Sequence, residues 1–152
     1  MKRLLGILLM IWIGSIFYQG TRSYDVSMKQ SHTIVGIVQE IVNDSTEESI
    51  QETPVEQSSL MFIVRKSAHV FEYGILALLF MAVRQKDSYV SYHQVIETLF
   101  VVLLCATLDE YLQSFVGRAS NVRDVLIDLS GGVGGMGIYA LFTWTWATIK
   151  GK

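Results

Sequence analysis

Leu129 to Ile149 is a run of 21 residues without a single charge, closed by Lys150 and Lys152. In water a helix that apolar would have no solvent face, and about 20 residues of α-helix are what a bilayer's hydrocarbon core takes. Lipid offers no partner to a backbone N–H or C=O, so spanning segments are helices or closed barrels, and the alternation of barrel strands is missing here. Three other stretches fit the same reading. Lys2 and Arg3 precede an uncharged segment from Leu4 to Thr21. A cleaved signal peptide is its rival, but no small-x-small pattern follows, and Tyr18, Gln19 and Gly20 suit an interfacial exit. Ser67 to Val83 is apolar apart from His69 and Glu72 and closes at Arg84 and Lys86, while Val95 to Leu108 carries only Glu97. The expectation is an all-α, polytopic membrane protein, residues 1–152 forming one domain with four transmembrane helices.

Between the first two spans, residues 22–60 are polar and hold Asp25, Glu40, Asp44, Glu47, Glu48, Glu52 and Glu56. Within them Ile34, Val35, Ile37, Val38, Ile41 and Val42 recur at helical spacing. This predicts a short amphipathic outer helix, lying on the membrane or capping the bundle. Asn43 to Ser59 reads as a flexible connector, with Pro54 as a breaker.

Four spans put both termini on one side. Basic residues divide evenly, Lys2, Arg3, Arg84, Lys86, Lys150 and Lys152 against Arg22, Lys29, Arg65, Lys66, Arg118 and Arg123. All of the first group sit at span ends, which favours cytoplasmic termini in a bacterial plasma membrane. The second group then lies outside, and four of its members belong to a polar cluster.

That cluster is expensive: ionisable side chains at membrane depth cost about 2.5–3.5 kcal/mol each on insertion scales, so a chain that keeps several has a use for them. Asp109, Glu110, Gln113, Arg118, Arg123, Asp124 and Asp128 follow the third span, and Arg65, Lys66, His69, Glu72 and Tyr73 open the second. The topology brings both sets to the outer face. Arg65, His69 and Glu72 share one helical face, and Lys66, His69 and Tyr73 an adjacent one. Asp109 with Gln113, and Asp124 with Asp128, stand at i and i+4, and Asp124 also suits the first turn of a helix.

Each element has a plainer reading: Arg65 and Lys66 as snorkelling anchors, Asp109 and Glu110 as a helix end pairing with Arg118 or Arg123, His69 as a packing residue. Their concurrence from three spans points instead to a site. Gly131-x-x-x-Gly135 lets helices approach closely, within the bundle or across a homodimer. Trp144, Trp146 and Lys150 look like an interfacial belt, and Tyr92, His93 and Glu97 show no partner. Cys105 is alone in an apolar run, which excludes a disulfide framework and a thiolate cluster. A net charge of −2 without a basic patch gives no reason to expect nucleic acid.

Arg65-Lys66-Ser67-Ala68-His69 with Glu72-Tyr73 resembles the first signature of the VanZ-like family. Asp109-Glu110-x-x-Gln113, Gly117-Arg118, Asp124 and Gly131-Gly132 with Gly135 resembles the second. The two blocks cover about residues 60–140. Lys66, His69, Tyr73, Asp109, Glu110, Gln113, Arg118 and Asp124 match by position, whereas Asp128 stands where many members carry Asn. The resemblance implies a small bacterial envelope protein, and the founding member is linked to resistance to the glycopeptide teicoplanin.

Three functions compete. In the first, an outward cavity binds membrane lipids or a lipid-linked cell-wall precursor, with Arg65, Lys66 and Arg118 on phosphate and Asp109, Glu110 and Asp124 orienting them. In the second, an intramembrane hydrolase or transferase uses His69, Asp109 and Glu110 as catalytic groups and Arg118 as charge stabiliser. Two carboxylates and a His also permit a divalent metal, but no local ligand spacing marks one, and no cofactor is indicated. In the third, the charges only fix helix register.

Overall fold

The structure, a computed structural model, describes residues 2–45, 54–86, 89–118 and 120–150. They form five helices and, among the described residues, no strand: α1 (Lys2–Gly20), α2 (Tyr24–Ser45), α3 (Pro54–Arg84), α4 (Tyr92–Phe115) and α5 (Val122–Lys150). Among them α1, α5 and the Ser58–Arg84 part of α3 are long and apolar enough to cross a membrane. The helix expected as the third of four spans, α4, does not join them. It carries Glu97, Asp109 and Glu110, which leave only a short apolar stretch between them.

Pro54 opens α3 instead of breaking a loop. A proline lacks only an N–H that the first helical turn leaves unpaired in any case, and its fixed φ suits that position. The connector expected over Asn43–Ser59 is therefore helical at both ends, and its middle, residues 46–53, lies outside the described residues. Helix α2 is longer than its apolar stripe suggests, starting at Tyr24. It packs on α3.

Contacts between helices fix their directions. Lys2 Nζ donates to the Gln85 carbonyl at 2.7 Å, and Gln19 Nε2 donates to Glu72 Oε1 at 2.6 Å, so α1 runs antiparallel to α3. Arg84 grips Glu97 across the α3–α4 turn. Lys66 faces Asp124, and His69 faces Asp128, so α5 runs parallel to α3. Lys2 and Lys150 accordingly share one end of the bundle, and the polar cluster occupies the other.

The seam between α3 and α5 depends on glycine. A Cβ on Gly131 would run into the Val70 carbonyl, and one on Gly135 into the Gly74 carbonyl. The Gly131-x-x-x-Gly135 spacing thus serves packing within this bundle. Gly132 meets Val102 of α4, where a Cβ would lie 2.6 Å from Cγ1.

Around these seams Ile16, Leu76, Ala77, Met81, Val102 and Ala106 form the apolar core, with Cys105 packed among them as a small hydrophobe. The outer surface is also apolar: Leu4, Ile7, Met10, Phe100, Leu103, Ile138, Leu141 and Phe142 are exposed on three helices. A soluble monomer rarely shows so large a greasy surface, and a bilayer covers it at no cost. Exposed Trp144 and Trp146 lie near the end of α5, where Lys150 sits 5.0 Å from the Trp146 ring centre.

Candidate functional site

The turn between α4 and α5 is set by local rules. Gly117 adopts φ 75° directly after the last turn of α4, a conformation glycine takes without penalty. The Arg118 N–H returns to the Gln113 carbonyl at 3.2 Å, closing the helix end in a Schellman arrangement. On the far side Asn121 caps α5, its Oδ1 accepting from the Arg123 N–H at 3.0 Å. The Asn121 N–H donates to Glu110 Oε2 at 3.0 Å, tying the cap of α5 to the end of α4. Glu110 therefore holds the turn. It does not line the cavity, and it acts on Arg118 through its charge.

Beside that turn lies a cavity of about 420 Å³. Arg65, His69 and Glu72 of α3 line it from one helical face, as their spacing predicts. Asp109 and Gln113 line it from α4, and Arg118 from the turn. Gln113 Nε2 donates to Asp109 Oδ2 at 2.8 Å, using the i, i+4 relation. The other oxygen, Asp109 Oδ1, is buried without a hydrogen-bond partner and abuts Gly20, where any side chain would displace it.

Several residues expected at the site stand beside the cavity. Lys66 reaches away to Asp124, Nζ to Oδ1 being 2.5 Å, with both side chains mostly covered. Lys66 thus locks α3 to the first turn of α5, and Asp124 orients it there. Tyr73 is fully buried below, its hydroxyl unpartnered. Arg123 is exposed and only its backbone takes part in the cap. Asp128 is buried behind the cavity, 3.3 Å from His69 Nδ1 but out of hydrogen-bond alignment with it.

Sequence reasoning missed one wall. Gln19 and Gly20 at the end of α1, Arg22 after it, and Ser27, Gln30 and Ser31 of α2 all line the cavity. The signal was present: Ser27, Gln30 and Ser31 are polar residues at helical spacing on a helix whose apolar stripe had been noticed. Arg22 enters the sequence argument only through the count of basic residues. It lies 5.6 Å from the Tyr18 ring centre and, with Arg65 and Arg118, gives the cavity three guanidinium groups.

The Arg118 guanidinium is pushed below its ordinary basicity, first by burial and then by the neighbouring charge of Arg65. Its Nε is buried without a partner. The carboxylates of Asp109, Glu110 and Asp124 offset part of the repulsion from Arg65. In addition, His69, Asp109 and Asp128 bring one donor atom each to within 4.8 Å of one another, from three different helices.

Across the whole chain, a family model described as VanZ/LLP1 matches residues 5–143. No curated protein and no solved structure matches.

Proposed function

The chain belongs to the VanZ/LLP1 family, and from that premise we propose that it is an envelope membrane protein whose polar cavity binds the anionic headgroup of a lipid. In this reading α1, α3 and α5 cross the bacterial plasma membrane, and α4, packed against all three, is the fourth crossing. The termini are cytoplasmic, and the cavity faces the outer leaflet under the cover of α2. The observation that carries the proposal is the group of Arg22, Arg65 and Arg118 around one cavity, with the Arg118 Nε buried and unpartnered. A buried donor without an acceptor costs about 1–3 kcal/mol, and a phosphate oxygen supplies the missing acceptor. Arginine suits that task because its planar fork meets phosphate with two parallel hydrogen bonds.

Occupying headgroups or a lipid-linked cell-wall precursor at the outer surface gives such a protein a means of altering how teicoplanin or a related lipoglycopeptide engages the envelope. Native mass spectrometry of the purified chain tests the binding step. Wild type should retain an anionic phospholipid, and Arg118→Ala should lose most of it; equal retention by both proteins would refute the headgroup site. The resistance step is tested separately, by teicoplanin susceptibility of cells expressing each protein at equal level.

One observation favours a second reading, an intramembrane hydrolase or transferase acting on a lipid-linked phosphate or sugar. His69 lines the cavity with Asp128 behind it, 3.3 Å from its Nδ1, where a small side-chain rotation would let the carboxylate orient the imidazole for proton transfer. Turnover of a lipid phosphate that disappears in His69→Ala would establish it, and turnover that survives the change would exclude His69 as the base.

A further inference from the structure

We infer that His69, Asp109 and Asp128 bind a divalent transition-metal ion at the floor of the cavity. The three residues come from α3, α4 and α5, and their donor atoms lie within 4.8 Å of one another. Ligands about 2.0–2.2 Å from a shared ion stand roughly 3–4 Å apart, so small side-chain rotations bring all three donors onto one ion.

The second observation is what these atoms lack. Asp128 is 1% exposed and Asp109 is 2% exposed. Both oxygens of Asp128, Oδ1 of Asp109 and Nδ1 of His69 are buried without a hydrogen-bond partner. Buried carboxylate oxygens are paired or coordinate metals, because an unpaired charge away from water is among the costliest features a fold can carry. Here each of the three residues that bring a donor atom to this spot has at least one buried atom in that condition. A protonated His69 would answer only one of the two carboxylates, whereas a dication satisfies both and needs the imidazole neutral, as a ligand must be.

The seams already described hold the donors in place. Gly20 leaves room for Asp109, Gln113 fixes the second Asp109 oxygen, and the Gly131 contact brings α5 close enough for Asp128 to face His69. Imidazole with carboxylates suits zinc, iron or manganese better than calcium or magnesium, which prefer oxygen alone. Three protein ligands leave coordination positions open. Since His69 and Asp109 line the cavity and Asp128 stands behind, those positions face the space that Arg65 and Arg118 also border. The ligand class for the open side is a phosphate or another oxyanion, clamped between the ion and the arginines. That last clause rests on the headgroup reading; the metal site itself does not.

The full chain, purified without an affinity tag, stripped with chelator and dialysed, is titrated with Zn2+ and with Co2+ in detergent containing no phospholipid. Wild type should bind about one ion per chain, and Co2+ should give visible absorption bands of a nitrogen- and oxygen-ligated ion. Loss of an outer-shell partner alone costs roughly 10–100-fold in metal affinity, so Asp128→Asn should weaken binding by at least that factor. Added Zn2+ should raise the Tm of wild type and leave that of Asp128→Asn unchanged. Failure of wild type to take up a stoichiometric ion, or binding by Asp128→Asn as tight as wild type, overturns the site. The cobalt spectrum of wild type decides the matter even where a variant fails to fold. Lipid retention by the chelator-treated chain tests the headgroup reading separately, so each proposal can fail alone.

Discussion

The two ends of this bundle treat their polar residues in opposite ways. At the end holding Lys2 and Lys150, Arg84 makes two hydrogen bonds to Glu97, Gln94 donates to the Met81 carbonyl, and Lys2 donates to the Gln85 carbonyl. Donors there meet acceptors, and the ion pair is open to water. At the other end, carboxylate, imidazole and guanidinium atoms are more deeply buried and yet several lack partners. A fold that only needed charges to set helix register would arrange them as the first end does. The contrast teaches that pairing is available to this chain and is left incomplete where the cavity lies.

The largest expected effect comes from closing the seam that makes the cavity end possible. Gly131→Ala places a methyl against backbone, which cannot yield as a side chain does, and should cost about 3 kcal/mol. Gly134→Ala meets nothing within 4 Å and should be neutral or stabilising by up to about 1 kcal/mol. Thermal unfolding in detergent compares the two; equal Tm values would mean that α3 and α5 are not as close as described.

Next in size is the removal of an incompletely paired charge. In chelator-treated protein Asp128→Asn should raise stability by about 1–3 kcal/mol, since a neutral amide relieves an unpaired buried carboxylate. A fall in Tm would show that Asp128 is already satisfied, and the difference between the ends would vanish. Smaller again is the Lys66–Asp124 pair, which is partly covered and should show a coupling of about 1 kcal/mol in a double-mutant cycle. Glu97→Gln at the opposite end should leave Tm unchanged, because a water-exposed ion pair contributes little. A large drop there would mean that both ends rely on their charges for stability.

Much of this architecture was legible in the chain. Charge-free runs marked α1 and α5, and the face shared by Arg65, His69 and Glu72 followed from helical periodicity alone. What spacing could not give was the choice of partners across helices. Lys66 and Asp124 look like cavity residues until they are seen to face each other, and Glu97 finds Arg84 only once α3 and α4 fold back. Glu110, beside Asp109 in sequence, turns to the opposite task because neighbours on a helix point about 100° apart. The cavity wall from α1 and α2 escaped notice because serine and glutamine carry no charge to draw the eye. His69, Asp109 and Asp128 stood too far apart in the chain to resemble any ligand motif.

The turn from Val116 to Asn121 has a consequence beyond its residues. Clamped at one side by the return of Arg118 to Gln113 and at the other by the grip of Glu110 on Asn121, it behaves as a spacer of fixed length. Lengthening it by a single residue would keep every side chain of the cavity and throw α5 out of step with α3. For this chain, the distance between the two blocks of sequence matters to the site as much as the letters within them.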